Sequence, residues 1–132
     1  MNELYIEARL ENVDEILDFI AIHCAACPPK TLKQINIAVD EIFSNIARYA
    51  YNPEVGCATV RISVGDEVTI EFADSGEAYN PLAKDDPDVT LPANKRRIGG
   101  LGVFMVKNIM DSVAYRHEGN KNIMTIKKGL SK

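Results

Sequence analysis

Ile98-Gly99-Gly100-Leu101-Gly102-Val103-Phe104-Met105-Val106 sets three glycines against the start of an apolar run that continues through Ile109 and Met110. The apolar residues from Val103 onward recur at helical spacing, so the glycines stand at a helix start. Glycine there lets a ligand approach the backbone closely, and the unpaired N–H groups with the positive helix end favour an anion. Phosphate is the candidate ligand. The basic run Lys95-Arg96-Arg97 lies directly before the glycines, suited either to a solvated loop or to neutralising phosphate charge. Glycines before a helix also serve plain turns, so the rest of the chain has to decide between the two.

Upstream, residues 81–97 are rich in Pro, Asp, Lys and Asn without periodicity, a length more typical of a lid or binding element than of an idle connection. Before them, residues 58–64 and 68–73 read as strands of β-branched residues joined by Gly65-Asp66-Glu67, and the second runs into Asp74-Ser75-Gly76. Downstream, strands near residues 113–117 and 123–128 are turned by Glu118-Gly119-Asn120. At the other end Leu4, Ile6, Ala8 and Leu10 alternate with polar residues, the period of a half-buried strand. Asn12, with Glu15 three residues on, offers a capping box for a helix carrying Val13, Ile16, Leu17 and Ile20, which Pro28-Pro29 ends. A longer helix is expected over residues 31–51, with Leu32, Ile35, Ala38, Val39, Ile42, Phe43 and Ile46 on its buried side. The order strand, two helices, hairpin, lid, helix, hairpin predicts an α+β fold. We expect one domain over residues 1–132, a two-layer sandwich whose mixed, mostly antiparallel sheet is covered by helices on one face.

A net charge of −4 gives no bulk attraction to nucleic acid or anionic lipid, and neither is expected as a partner. No apolar run reaches the length of a membrane span and the first residues lack a signal peptide's regions, so a cytoplasmic protein is expected. Cys24, Cys27 and Cys57 cannot all pair within one chain. Cys24-Ala25-Ala26-Cys27 has C-x-x-C spacing, yet no second such pair supplies the remaining ligands of a zinc site, and the cysteines are expected to pack as small apolar residues.

Glu41 and Asn45 stand four apart on the second helix and share a face, which Tyr49 continues, whereas Asp40 points about 100° away. A carboxylate can take a proton from an attacking hydroxyl, and an amide oxygen can join a Mg²⁺ shell beside phosphate oxygens. On spacing alone a solvated Glu-x-x-x-Asn pair is the commoner explanation. Asp74 at a strand end is an acceptor suited to the exocyclic amino group of adenine, or the start of an Asx-turn. Thr125 is either a β-former or a hydroxyl reaching a base. No P-loop motif, dinucleotide fingerprint or G-x-S-x-G elbow occurs.

In order, these signals form a series. Glu41-Ile42-Phe43-Ser44-Asn45 resembles the N box, Asp74-Ser75-Gly76-Glu77-Ala78-Tyr79-Asn80-Pro81 the D-x-G-x-x-F-D-P box, and Gly99-Gly100-Leu101-Gly102 the second glycine box of the GHKL (Bergerat-fold) ATPases. Within that superfamily the chain is most similar to the anti-sigma factor serine kinases, and the similarity continues through Val113-Ala114-Tyr115 and residues 119–125. The resemblance implies ATP and Mg²⁺ as cofactors, Glu41 as catalytic base, Asn45 as Mg²⁺ ligand, Asp74 as adenine reader and Gly76 as its turn partner. It further implies phosphate contacts from Gly100, Leu101 and Gly102, lid contacts from Lys95 and Arg97, and Thr125 near the base. Family members phosphorylate a serine on a small anti-sigma antagonist, bind a sigma factor and so regulate transcription, and pair as homodimers. Two positions depart from the pattern: Tyr49-Ala50-Tyr51 stands where H-A-Y is usual, and Asn80-Pro81 where D-P is usual. The alternative these departures imply is an ATP-gated binding regulator that transfers no phosphate.

Overall fold

Val, Ile and Phe at every second residue commit neighbouring segments to strands with one buried face. In a computed structural model of the chain, the description covers residues 1–51, 55–76, 82 and 100–130, without the side chains of Tyr49 and Leu101. Strands β1 (Asn2–Glu7), β2 (Cys57–Val64), β3 (Glu67–Asp74), β4 (Ser112–Glu118) and β5 (Lys121–Gly129) form a sheet in the order β1-β2-β3-β5-β4. Every pairing among them is antiparallel, so the expected mixed sheet has no parallel pair among the described residues. The β4–β5 hairpin turns on Gly119 (φ 58°) and Asn120 (φ 61°), two left-handed residues as a type I′ turn requires.

The register sorts the side chains. Val60 lies opposite Phe72 and Ile62 opposite Ile70, while Phe72 and Ile70 face Met124 and Ile126 on β5, and all of these are buried. Onto them pack Ile16 and Ile20 of α1 (Val13–His23), Ile35, Val39 and Phe43 of α2 (Pro29–Asn45), and Val106 of α3 (Gly100–Ile109). The other face is polar. Arg61 reaches Glu3 at 2.6 Å and Glu71 at 3.2 Å, and Arg116 reaches Glu71 at 3.7 Å. Exposed pairs of this kind add little stability and keep that face solvated.

Local differences from the sequence expectation have physical causes. β1 stops at Glu7, and residues 10–12 form a 3₁₀ turn. Asn12 stands at the N-cap position of α1 but its side chain makes no cap hydrogen bond; its Nδ2 donates to the Glu7 carbonyl at 3.0 Å, closing the turn from strand to helix. α2 begins two residues early because Pro29 fits the first helical turn. It also gives way to a π-helical turn at Ile46–Ala50.

Cys24 and Cys27 are buried and free at the end of α1, as the packing expectation has it, and among the described residues no three His, Cys, Asp or Glu side chains form a metal cluster. Burial, reinforced by Cys27, pushes the Cys24 thiol up to about 12. At pH 8 Cys24 is therefore expected to resist N-ethylmaleimide while the less buried Cys57 reacts, as mass spectrometry of the native protein would read out. Modification of Cys24 at the rate of Cys57 contradicts this. No helix among the described residues is long and apolar enough to cross a membrane.

Candidate functional site

Two polar groups sit along the second half of α2, one at its side and one beyond its end. At the side, Glu41 turns toward α3. A Cβ built on Gly102 would lie 3.1 Å from Glu41 Cδ and collide with Oε2, so the second glycine box backs directly onto the carboxylate of the N box. Only glycine leaves room for both. Asp40 faces elsewhere, as its helical angle predicts: its Oδ1 accepts a hydrogen bond from the Ser44 hydroxyl at 3.0 Å. Asn45 is the last residue of α2, one turn beyond Glu41, and is half-buried.

Directly after Asn45 the helix widens to the π turn; the side chain of Tyr49, expected to continue the row of Glu41 and Asn45, lies outside the described residues. A π turn inserts one residue and rotates everything after it, a device common beside functional sites. Its consequence is the placement of Tyr51. The Tyr51 hydroxyl donates to the Cys57 carbonyl at 2.7 Å and accepts from the Ser75 backbone N–H at 2.7 Å, tying the start of β2 to the turn after β3. Burial raises the Tyr51 phenol above its ordinary range, which keeps it a donor at neutral pH.

That turn carries the second group. Asp74 ends β3 on its core face and is 6% exposed. Its Oδ1 accepts from the Gly76 N–H at 2.9 Å, an Asx-type turn, and from Asn122 Nδ2 at 3.0 Å across the sheet. Both hydrogen bonds to Asp74 among the described residues fall on Oδ1, which leaves Oδ2 as its available acceptor. Gly76 is pressed against the π turn: a Cβ there would meet the Ala50 carbonyl carbon at 2.7 Å and its Cβ at 2.8 Å. Ala50 thus links the two groups, nine residues and about 13 Å of helix beyond Glu41.

The two glycines are crowded by different things, and their alanine variants are expected to differ accordingly. At Gly76 the obstacle is backbone, so Gly76→Ala is expected to cost roughly 1–3 kcal/mol in a urea titration. At Gly102 the obstacle is the end of a flexible side chain in a helix that alanine favours by about 1 kcal/mol. Gly102→Ala is expected to keep or raise the midpoint while displacing Glu41. An unchanged midpoint for Gly76→Ala would contradict the packing described.

Thr125 is not part of this group. In β5 the register puts Asn122, Met124 and Ile126 on the face of Asp74, whereas Thr125 pairs with Glu71 and Ala114 on the opposite, polar face. Strand parity overrides the expectation that its hydroxyl reaches a base. The position across from Asp74 is held by Asn122, which sequence reasoning passed over although its even spacing from Met124 and Ile126 marked its face. Gly100 opens α3 as expected. The Leu101 side chain, Lys95, Arg97 and the lid at 81–97 apart from Leu82 lie outside the described residues.

Comparison with known proteins agrees with this layout. The histidine kinase-like ATPase domain family matches residues 6–128. The serine-protein kinase RsbW of Staphylococcus epidermidis is 28% identical over 136 residues, 93% of this chain and 86% of that protein. The RsbW of Listeria monocytogenes is 30% identical over 103 residues, covering 73% of this chain and 66% of the relative. The RsbW of Bacillus mycoides is 27% identical over 101 residues, and the match spans 63% of its length. Among solved structures, the histidine kinase domain of the blue-light activated kinase EL346 from Erythrobacter litoralis superposes with a TM-score of 0.56 at 18% identity, covering 78% of this chain and 46% of that one. The Acinetobacter baumannii histidine kinase AdeS gives 0.52 at 16%, covering 100% of this chain and 70% of that one. These two likenesses establish the fold. With the family match running from β1 into β5 and the same helix-on-sheet architecture beneath it, the chain belongs to the histidine kinase-like ATPase domain family.

Proposed function

We propose that the chain is a Mg-ATP-dependent protein serine kinase of the anti-sigma factor type, acting on a serine of a small antagonist protein. The observation that carries the reading is the seat of Gly102 against Glu41, which joins the expected phosphate-binding helix start to a half-buried carboxylate. The residues present suit an adenine nucleotide. Among the described residues Asp74 has an available acceptor oxygen for an amino group, Gly102 leaves the Glu41 carboxylate in place against α3, and a helix start there would offer N–H groups to a phosphate. Mg²⁺ held by the Asn45 amide oxygen would offset phosphate charge.

In this reading Glu41 of α2 takes the proton from the attacking serine hydroxyl, beside the phosphates that the start of α3 would hold. Asp74 holds the base through Oδ2, and Gly100, Leu101 and Gly102 hold phosphates, with Lys95 and Arg97 contributing charge from the lid. Binding of a sigma factor by the unphosphorylated regime, pairing as a homodimer and residence in the cytoplasm complete the proposal. The relatives' name, serine-protein kinase RsbW, supports the serine kinase part of the reading.

The test is incubation with γ-labelled ATP, Mg²⁺ and candidate antagonist proteins, reading phosphoserine by mass spectrometry. Label on an antagonist serine is expected. ATP bound with no transfer to any serine contradicts kinase activity and leaves a nucleotide-gated binding regulator, in which ATP changes partner affinity by differential binding to two states.

A further inference from the structure

Asn122 is a buried amide, 7% exposed, on the strand next to Asp74, and an amide is ambiguous toward a purine. Its NH₂ end could donate to a 6-oxo group, its oxygen could accept from a 6-amino group. Left free to rotate beside a nucleobase, it would weaken any preference that Asp74 imposes.

The structure removes that freedom. Among the described residues Asn122 Nδ2 donates to Asp74 Oδ1 at 3.0 Å and to the Gly76 carbonyl at 3.3 Å, so its NH₂ end is turned toward acceptors. The oxygen end is turned the other way and accepts from the Tyr115 hydroxyl, which β4 brings to the same face. Reversing the amide would set its oxygen against the Asp74 carboxylate and the Gly76 carbonyl while its NH₂ end met a phenol already directed at it. The chain of donors therefore runs one way, Tyr115 to Asn122 to Asp74.

We propose that Tyr115 and Asn122 are positioning residues that set purine selectivity at the nucleotide site. They keep every donor of Asn122 turned inward and occupy Asp74 Oδ1, so Oδ2 meets the base as a pure acceptor. Such a site takes a 6-amino purine and rejects a 6-oxo purine, whose O6 would face a carboxylate. The inference rests on the proposed assignment of Asp74 to the base and adds to it a selectivity mechanism in β4 and β5.

The experiment compares ATP with inosine triphosphate by calorimetry on wild type, Tyr115→Phe and Asn122→Ala, with thermal melting alongside. The wild type is expected to prefer ATP. Tyr115→Phe, which keeps the ring and removes only the hydroxyl, is expected to cut the ATP-to-ITP ratio of affinities about tenfold, with ITP binding held or improved. Asn122→Ala is expected to cut it as well. Equal weakening of both nucleotides, or an unchanged ratio in both variants, overturns the relay while leaving nucleotide binding intact. A wild type that binds ATP and ITP alike overturns the assignment of Asp74, and the relay with it. Should Asn122→Ala fail to fold, the ratio in Tyr115→Phe decides, and the Asn122 side-chain amide resonances in that variant give a ligand-free readout. Unmoved resonances contradict the relay.

Discussion

Glu41→Ala is expected to slow phosphoryl transfer to an acceptor serine by about 10²–10⁴-fold while leaving ATP affinity nearly unchanged. The carboxylate makes no hydrogen bond among the described residues, so its removal strands no buried partner, and the space it leaves relieves the contact with Gly102. Glu41→Gln sharpens the test because it keeps the shape of the side chain and removes its basicity. Both variants should show the same loss in a single-turnover assay with labelled ATP. A Glu41→Gln enzyme with wild-type transfer would falsify the base assignment, and a matched loss of ATP affinity would recast Glu41 as a binding residue.

Asp74→Ala is the second large effect, and it has two parts. Alanine leaves the Gly76 N–H and the Asn122 amide without their shared acceptor, at a cost of roughly 1–3 kcal/mol for each buried donor left unmade. A hydrogen bond to a charged group contributes about 1.5–3 kcal/mol, so ATP affinity should fall by roughly one to two orders of magnitude beyond any loss of folded protein. Urea titration measures the first part and calorimetry on the folded fraction measures the second. An Asp74→Ala protein that is destabilised but binds ATP like wild type would make Asp74 a structural turn residue only.

The strands and the layer order were legible because alternating β-branched and aromatic residues at Val60, Ile62, Ile70 and Phe72 fix which face is buried, and because the apolar residues from Val103 onward recur at helical spacing. Glu41 and Asp74 were legible as candidates through the ordered series of boxes, since a helix face and a strand end alone suit a solvated pair and an Asx-turn as well. The inner connections were not. Nothing in Ile46-Ala47-Arg48-Tyr49-Ala50 announces a π turn, since the same residues suit an α-helix; in the fold Ala50 of that turn lies against Gly76. Tyr51 therefore reads as one more helical residue until the turn aims it at Ser75 and Cys57. Thr125 was drawn to the wrong face by its chemistry when parity with Ile126 excluded it, and the same parity pointed to Asn122. Asn12 shows the limit of capping rules: it stands at the N-cap position of α1 as expected, yet its side-chain oxygen accepts no cap hydrogen bond, and the amide is oriented by donation from Nδ2 to the Glu7 carbonyl.

On the proposed reading Asp74, at the end of β3, and Asn45, at the end of α2, contact opposite ends of a single nucleotide. Calorimetric titration of wild type, Asp74→Ala and Asn45→Ala with adenosine and with Mg-ATP tests it most directly. The account predicts that Asp74→Ala weakens both ligands, whereas Asn45→Ala weakens Mg-ATP and leaves adenosine unchanged. Equal weakening of adenosine by both variants, or a Mg-ATP affinity indifferent to either, contradicts it.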